Sequence, residues 1–466
     1  MLEFGRIRKI AVLGSSGSIG RNALDVIANS NGTLEAVLLS VNRQTNVLAE
    51  QLLQIASQIK STNLSNKTRN DTLKLPQWIV ITDPNADQTP IKNLPDSILS
   101  QIEIFYGHDS LCSLVRKSEI DIVLSALSGC AGLVSTWSAL ESGKVVALAN
   151  KESLVSGGSV IKELAIKNHG NLIPVDSEHS AVLQALQCWN MKNYPNNLTN
   201  PIVRNITTNK QQSCQLDLSD QTNQTNQSDQ LHISEQQFSN HSNLQNVISN
   251  ITLTASGGPF RTLPLEKIKK VTVEDALNHP TWKMGTKITI DSATMMNKAF
   301  EIIEARHFFD LEPSKIKVII HPQSIIHSMV QFIDGSTIAQ LSPPDMRIPI
   351  SIALHYPDRF ETLSICPIDW SEQISLEFYS PDFERFPALS LGYAVAEKGG
   401  TTGAVVNAAN ETAITAFLNG RLPFHDIVNA CFSILENHNF EKYPTLSRLL
   451  ELDTWARKET EKWISQ

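Results

Sequence analysis

The chain has 466 residues, too many for one core and enough for about three domains of ordinary size. A net charge of −8 with 41% hydrophobic residues permits real cores but excludes a surface built for polyanions, because binding a nucleic-acid backbone needs clustered Lys and Arg. The six cysteines (Cys112, Cys130, Cys188, Cys214, Cys366, Cys431) are scattered, with no Cys-x-x-Cys pair, which excludes a zinc knuckle and fits reduced thiols in a cytoplasmic protein. No apolar run approaches the ~20 residues of a membrane helix, and the first strand starts too near Met1 for a secretory signal or transit peptide.

Residues 8–13 form a short apolar strand that runs into Gly14-Ser-Ser-Gly17-Ser-Ile-Gly20 and then into a helical pattern. Strand, glycine turn and helix in this order suit a dinucleotide, since glycines allow close backbone approach and the helix start offers free amides to a pyrophosphate. A tight structural turn is the plainer alternative. The second strand, 34–41, is followed by Asn42-Arg43-Gln44 with no acid. An acid there would accept from a ribose 2′-hydroxyl, whereas Arg43 suits a 2′-phosphate, so NADP(H) is expected. Residues 61–76 are polar and read as a surface loop. Strands at 78–82, 120–127 and 144–150 continue the alternation, and the last ends at Asn150-Lys151-Glu152, where ligands of open α/β sheets collect.

In the segment around Val175, Asp176 and Glu178 flank Ser177; in extended chain, residues i and i+2 share a side, so the carboxylates converge. An all-oxygen set suits Mg²⁺ or Mn²⁺ rather than zinc. A helix N-cap at Asp176 or Ser177 competes with that reading. From about 190 to 250, roughly two residues in five are Asn or Gln, a composition that cannot bury enough apolar surface to offset ordering and reads as a disordered insertion. Its Asn-x-Ser/Thr sequons, such as the one at Asn197, follow from composition.

Order resumes with a strand ending in Ser256-Gly257-Gly258-Pro259, whose amides and hydroxyl suit a phosphate. The stretch His279–Glu301 gathers a His, a Trp in a Gly-containing loop, a hydroxyl-rich turn, and Asn297, Lys298 and Glu301 at a helix start. Asn297 and Glu301 share a helical face, and Lys298 points about 100° away. Residues 317–332 read as one strand with His321 and His327 as hydrogen-bonded core histidines. A Pro-containing connector extends to about Asp382, and the chain from Phe383 is helical in pattern, with Gly420 ending one helix. The expected organisation is α/β: an N-terminal Rossmann-type NADPH-binding domain (1–175), a central α/β catalytic domain (176–355), a linker (356–382) and a C-terminal helical domain (383–466).

With these pieces in order, the chain resembles the 1-deoxy-D-xylulose 5-phosphate reductoisomerase family of the non-mevalonate isoprenoid pathway. The resemblance spans nearly the whole chain and is carried by GSSGSIG (14–20), ANKES (149–153), VDSEHSA (175–181), ASGGPF (255–260), the stretch His279–Glu301, HPQSIIHSMV (321–330), PDMR (344–347) and NAANE (407–411). It implies NADPH and a divalent metal (Mg²⁺ or Mn²⁺, with Co²⁺ a further option) held by Asp176, Glu178 and Glu301. It implies cofactor contacts at Ser16, Gly17, Ser18, Ile19, Asn42, Arg43, Gln44, Asn150, Glu152 and Gly285. Substrate contacts fall on Lys151, Ser177, Glu178, Ser256, His279, Ser292, Asn297, Lys298 and Glu301, with Ser256, Ser292, Asn297 and Lys298 on the phosphate and Lys151 and His279 among the catalytic groups. Trp282 and Met284 belong to a flap, and Met346 packs at the site. A homodimer without nucleic-acid or membrane partners is the expected assembly.

Three departures stand out. The family usually has Thr where Ser16 stands, and Gly-Lys-Asn or similar where Asn42-Arg43-Gln44 stands; Asn is the best substitute for a Gly at positive φ. The insertion is longer than usual. Another two-domain NADP-dependent dehydrogenase would not need three carboxylates, and a nucleotide-sensing module would need neither those nor the lysine and histidine sites.

Overall fold

The computed structural model describes residues 6–64, 74–190, 246–282, 284–361 and 365–466. Most of the polar stretch read as an insertion, residues 191–245, lies outside the described residues, as do residues 65–73 of the expected loop. The beginning of that loop is corrected: Ser61–Leu64 complete the helix Thr45–Leu64, whose earlier turns bury Leu48 and Leu52, so an established helix propagates through Ser, Thr and Asn.

Seven parallel strands form the first sheet: β1 (Arg8–Leu13), β2 (Leu34–Val41), β3 (Trp78–Ile81), β4 (Glu103–Tyr106), β5 (Ile122–Ser125), β6 (Val145–Leu148) and β7 (Asn171–Pro174), in the spatial order β4-β3-β2-β1-β5-β6-β7. Every residue of β2, β3 and β5 is buried, because helices cover both faces, and this explains their unbroken apolar composition. The order reverses between β1 and β5, which opens a crevice beyond their carboxyl ends. Gly14 sits there at φ +82°, where a Cβ would come within 2.7 Å of the Ala126 carbonyl oxygen. Only glycine lets the two strand ends approach so closely.

A second sheet holds β8 (Ile248–Ala255), β9 (Ile316–Ile320), β10 (Ile326–Phe332) and β11 (Thr337–Leu341) in the order β11-β10-β8-β9. The single strand expected over 317–332 is therefore two. Pro322 has no N–H for a ladder, and Ser324 at φ +51° turns the chain, so β9 runs parallel to β8 and β10 antiparallel to it. The chain then returns to the first sheet. Helix Arg347–His355 packs on helix Ser18–Ala28, Arg347 meets Asp25 at 3.0 Å, and the buried Arg8 donates to the Leu354 and Tyr356 carbonyls. This return carries Met346 back over the crevice.

Helices Ala388–Lys398, Thr402–Leu418, Asp426–Glu436 and Leu446–Ile464 complete the chain, and Gly420 at φ +70° follows the second of them as its stop. Ala388–Lys398 packs on Met296–Phe309, and Thr402–Leu418 packs on Lys151–Lys167. One buried apolar cluster runs from the first sheet through Phe300 to Val405 and Ala409, and a smaller one surrounds Phe260, Phe417 and Phe424. The architecture is the expected one: a Rossmann-like parallel sheet, a second sheet and a helical carboxyl-terminal part. Among the described residues, no helix is long and apolar enough to cross a membrane.

Candidate functional site

A cavity of about 190 Å³ lies beyond the carboxyl ends of β6, β7 and β8. It is lined by Ser18, Ile19, Lys151, Asp176, Ser177, Glu178, Ser256, His279, Trp282, Met284, Ser292, Asn297, Lys298, Glu301 and Met346, all expected at a site from the sequence. Ser16, Gly17, Asn42, Arg43, Gln44, Asn150, Glu152 and Gly285 do not line it. They follow the ends of β1, β2 and β6 or, for Gly285, cap the helix Thr286–Ala293.

The acidic floor forms differently from the sequence reading. Asp176 and Glu178 converge, but not by strand alternation: helix Ser177–Asn190 begins between them, with Glu178 in its first turn and the Asp176 carbonyl accepting from Ser180 N. Helix Met296–Phe309 brings Glu301 to the pair, and one oxygen from each of the three lies within 4.8 Å of the others. Two ammonium groups reach into this set. Lys151 Nζ donates to Asp176 at 2.7 Å and is 3.6 Å from Glu301, and Lys298 Nζ donates to Glu178 at 2.7 Å and also to Glu301. Lys298 stands about 100° from Asn297 but only one turn before Glu301, so its side chain shares the Glu301 side of the helix.

Burial alone would lower both lysines. The surrounding carboxylates outweigh it, chiefly Asp176 and Glu301 around Lys151 and Glu178 and Glu301 around Lys298, and both are raised. Glu301 is pushed up to about 8 by burial and by repulsion from Glu178. Glu178 meets the same burial, but Lys298 and Lys151 draw it down to about 2.

Sequence reasoning missed a layer behind these groups. His179 and Glu304 are fully buried, and with Asp176 they form a second acid-histidine cluster. His179 Nε2 donates to the Glu301 carbonyl at 2.9 Å, while its Nδ1 faces Asp176 and Glu304, both at 3.6 Å. Burial lowers His179 to about 4, so the ring is neutral. The available signal was the i,i+3 spacing of His179 from Asp176 and of Glu304 from Glu301, one turn along each helix. His327 was read only as a core histidine. It is buried and bonds the Ser342 carbonyl, yet its ring also lines the cavity, edge-on to Trp282 at 6.3 Å; His321 is a core histidine as expected.

At the other end of the cavity, His279 gathers two hydroxyls. Its Nδ1 accepts the backbone N–H groups of Thr281 and Trp282 at 3.1 and 2.9 Å, which places the proton on Nε2. Nε2 is 3.1 Å from both Ser256 Oγ and Ser292 Oγ. Burial lowers His279, so it is a neutral donor. Gly257 and Gly258, at φ +85° and +66°, turn the backbone beside Ser256. The result is a pocket of donors for a small anion; Asn297 and Lys298, expected beside it, donate instead to the acidic floor, Asn297 to Glu301 and Lys298 to Glu178 and Glu301.

Beyond the end of β1, Gly17 is the N-cap of helix Ser18–Ala28 without a side-chain cap, which leaves the first amides available. Gly20 packs against the Gly14 carbonyl so closely that a Cβ would collide with it. This cradle fits a pyrophosphate. Arg43 is 77% exposed at the end of β2 and pairs with Asp83, which follows β3. Asn42 is not among the described non-glycine residues at positive φ, so its expected role as a glycine substitute is corrected: the turn needs no left-handed residue there. Asn150 caps helix Lys151–Lys167 through Ser153 N, and its amide donates to Glu152 at 2.7 Å.

The acidic floor also fits a divalent ion. Buried Glu301 and Glu304 and half-buried Asp176 and Glu178 face two ammonium groups, and the crowding raises Glu301 and Glu304, so a cation placed among them would relieve the repulsion that protonation relieves otherwise.

Comparisons with known proteins agree along the chain. Residues 10–158 match the family 1-deoxy-D-xylulose 5-phosphate reductoisomerase, 227–309 its C-terminal domain, and 341–459 the DXP reductoisomerase C-terminal domain. The 1-deoxy-D-xylulose 5-phosphate reductoisomerase of Thermodesulfovibrio yellowstonii is 39% identical, covering 99% of this chain and all of that one; the Rhodopirellula baltica enzyme is 40% identical over 97% and 94%. The Zymomonas mobilis enzyme solved with NADPH superposes with a TM-score of 0.75 at 33% identity, covering 98% of this chain and 99% of that one. A DOX-P reductoisomerase solved with NADPH, fosmidomycin and magnesium gives 0.77 at 31%, covering 98% of each chain. The chain belongs to the 1-deoxy-D-xylulose 5-phosphate reductoisomerase family.

Proposed function

We propose that the chain carries out the NADPH- and divalent-metal-dependent rearrangement and reduction of 1-deoxy-D-xylulose 5-phosphate to 2-C-methyl-D-erythritol 4-phosphate. The observation that carries this reading is the convergence of Asp176, Glu178 and Glu301 with Lys151 in one cavity whose far end is the Ser256–His279–Ser292 anion pocket. The cavity therefore suits a short phosphorylated sugar, phosphate at one end and oxygens at the other.

Asp176, Glu178 and Glu301 would hold the ion, and Lys151 and Lys298 yield part of their pairing to it. When bound, the ion supplies Lewis-acid stabilisation of negative charge on the substrate's carbonyl and adjacent hydroxyl oxygens, and NADPH supplies the hydride. Lys151 holds its proton firmly and donates a hydrogen bond to those oxygens from Nζ. Ser256, Ser292 and neutral His279 bind the phosphate, and Asn297 and Lys298, which rest on Glu301 and Glu178, would turn to join them. Because the phosphate is remote from the reacting carbons, its binding energy can keep the substrate in register. Trp282, Met284 and Met346 line the cavity and would limit water at the reacting carbons.

Ser16, Gly17, Ser18 and Ile19 cradle the cofactor pyrophosphate, Asn42, Arg43 and Gln44 meet its 2′-phosphate side, and Asn150, Glu152 and Gly285 lie toward its nicotinamide. Fosmidomycin, held with NADPH and magnesium by the solved relative, should occupy the same cavity here. A cytoplasmic homodimer completes the reading; the free Cys112, Cys130, Cys366 and Cys431 suit a reducing compartment.

The test is NADPH oxidation followed by absorbance, with and without 1-deoxy-D-xylulose 5-phosphate and with Mg²⁺ or a chelator. Oxidation that needs substrate and metal is expected. Oxidation indifferent to either removes the reading.

A further inference from the structure

The NAANE run and the first turn of helix Thr286–Ala293 meet in a buried charge cluster that the reaction chemistry leaves unused. Lys287 Nζ bonds Glu152 and lies 3.2 Å from Asp291 Oδ2, one turn along its own helix. Asn410 Nδ2 donates to Asp291 Oδ1 at 2.7 Å. Glu411, on the same helix as Asn410, accepts from Arg457 at 2.6 Å and borders Gly129, just beyond β5. Glu152, Asp291 and Asn410 are all buried. Burial would lower Lys287, but Asp291, Glu152 and Glu411 outweigh it and raise the ammonium, which stays charged across the physiological range.

The cluster has direction as well as charge. Glu152 is held on its other side by the Asn150 amide at 2.7 Å, and Asn150 caps the helix that starts at the end of β6. Ser292 directly follows Asp291, and its hydroxyl lies 3.1 Å from His279 Nε2 in the anion pocket. A helix of eight residues is rigid over this span, so what fixes Lys287 also fixes Ser292. The chain of contacts thus runs from the nucleotide end, through Glu152 and Lys287, along one helix to the anion pocket, with Asn410 holding the helix from behind.

We propose that Lys287 is a positioning residue that locks the cofactor end and the anion pocket into one register, so that a ligand at either end tightens binding at the other. The inference rests on the cofactor and phosphate assignments made under Proposed function. Truncating Lys287 leaves Glu152 and Asp291 buried without their shared cation, frees the Glu152 carboxylate to turn, and unties the helix start. Coupling between ligands is reciprocal, so it is measured from either side.

The experiment is a titration of the full chain with fosmidomycin in Mg²⁺ buffer, with and without saturating NADPH, on variants whose melting is checked first. In the unaltered protein NADPH should tighten fosmidomycin by about tenfold, within the usual range of such couplings. Lys287→Met should cut that factor to about twofold or less, and Lys287→Arg should keep most of it. Asp291→Asn leaves the Lys287–Glu152 pair in place and should keep the factor within about twofold of its original value. If Lys287→Met does not fold, Lys287→Leu, which likewise offers Glu152 no donor, gives the same comparison. Unchanged coupling in a folded Lys287→Met or Lys287→Leu protein overturns the inference, as does equal loss in Asp291→Asn or no coupling in the unaltered protein. Absence of metal-dependent turnover by the unaltered protein would count against the proposed function instead.

Discussion

At the acidic end of the cavity, Asp176, Glu178, Glu301, Lys151 and Lys298 are side chains taken out of water, and each depends on the others for its charge. At the nucleotide end, the turn Gly14–Gly20 offers backbone amides, and the one cation in the 42–44 turn, Arg43, stands in solvent against Asp83. The first end has already met the desolvation cost, so a ligand there finds preorganised charge; the second is built from backbone geometry and adjusts through an exposed side chain. Substitutions should therefore be severe and cooperative at the first end, and modest and separable at the second.

Glu301→Gln tests the severe side. The neutral amide keeps the shape and can still accept from Asn297, whose amide now donates to Glu301 at 2.6 Å, so the fold should survive. Turnover should fall by roughly 100- to 1,000-fold, with a higher Mg²⁺ requirement, since one preorganised charge is removed from a dry site. Near-normal turnover at low Mg²⁺ would remove Glu301 from the metal set.

His307 probes whether burial alone makes helix Met296–Phe309 pH-sensitive, apart from any ligand. Its ring fills the space beside Gly158, and burial, reinforced by Lys162, lowers it to about 4. Unfolding returns it toward 6.5. Between these values the unfolded chain binds the extra proton, so this stability is present above about pH 6.5 and is lost as pH falls toward 4. The loss amounts to roughly 3 kcal/mol from this group. Urea midpoints at pH 7 and pH 5 should differ less in His307→Gln than in the unaltered protein, and an identical pH dependence would show that other groups carry it.

The same contrast explains what the sequence disclosed. The glycine turn and the carboxylates Asp176, Glu178 and Glu301 are local patterns, or sit in motifs long enough to compare; strand lengths were less legible, since the runs 120–127 and 144–150 yield only Ile122–Ser125 and Val145–Leu148. β2 matched its expected bounds because a strand buried on both faces shows an unbroken apolar run. The helix that begins between Asp176 and Glu178 was harder to see, since an acid before Ser177 serves equally well as an N-cap and as a ligand. His179, Glu304 and the contacts of Lys287 with Glu152 and Asn410 with Asp291 depend on pairings across 119 to 135 positions or on what lies behind a helix, and no local pattern specifies those. Asn42 failed for the opposite reason: a rule about left-handed residues was applied where the turn does not require one.

The nucleotide end carries the smaller and more separable effects. Arg43→Ala should raise the KM for NADPH by about tenfold and leave that for NADH nearly unchanged, one charge-assisted contact to a phosphate being worth that much. An equal rise for both cofactors would remove the 2′-phosphate argument. Asp83 sharpens the point, because it holds the guanidinium proposed for the 2′-phosphate. Its carboxylate is kept below its usual range first by the Asn85 backbone N–H and then by Arg43, so it is a charged competitor at neutral pH. Asp83→Asn should therefore release Arg43 and lower the KM for NADPH, by about twofold since the pair is exposed and screened. The combination with Arg43→Ala should show no such gain. A gain that persists without Arg43 would mean that Asp83 repels the phosphate directly, and the cofactor end would then be tuned by the field of β3 rather than by the freedom of one arginine.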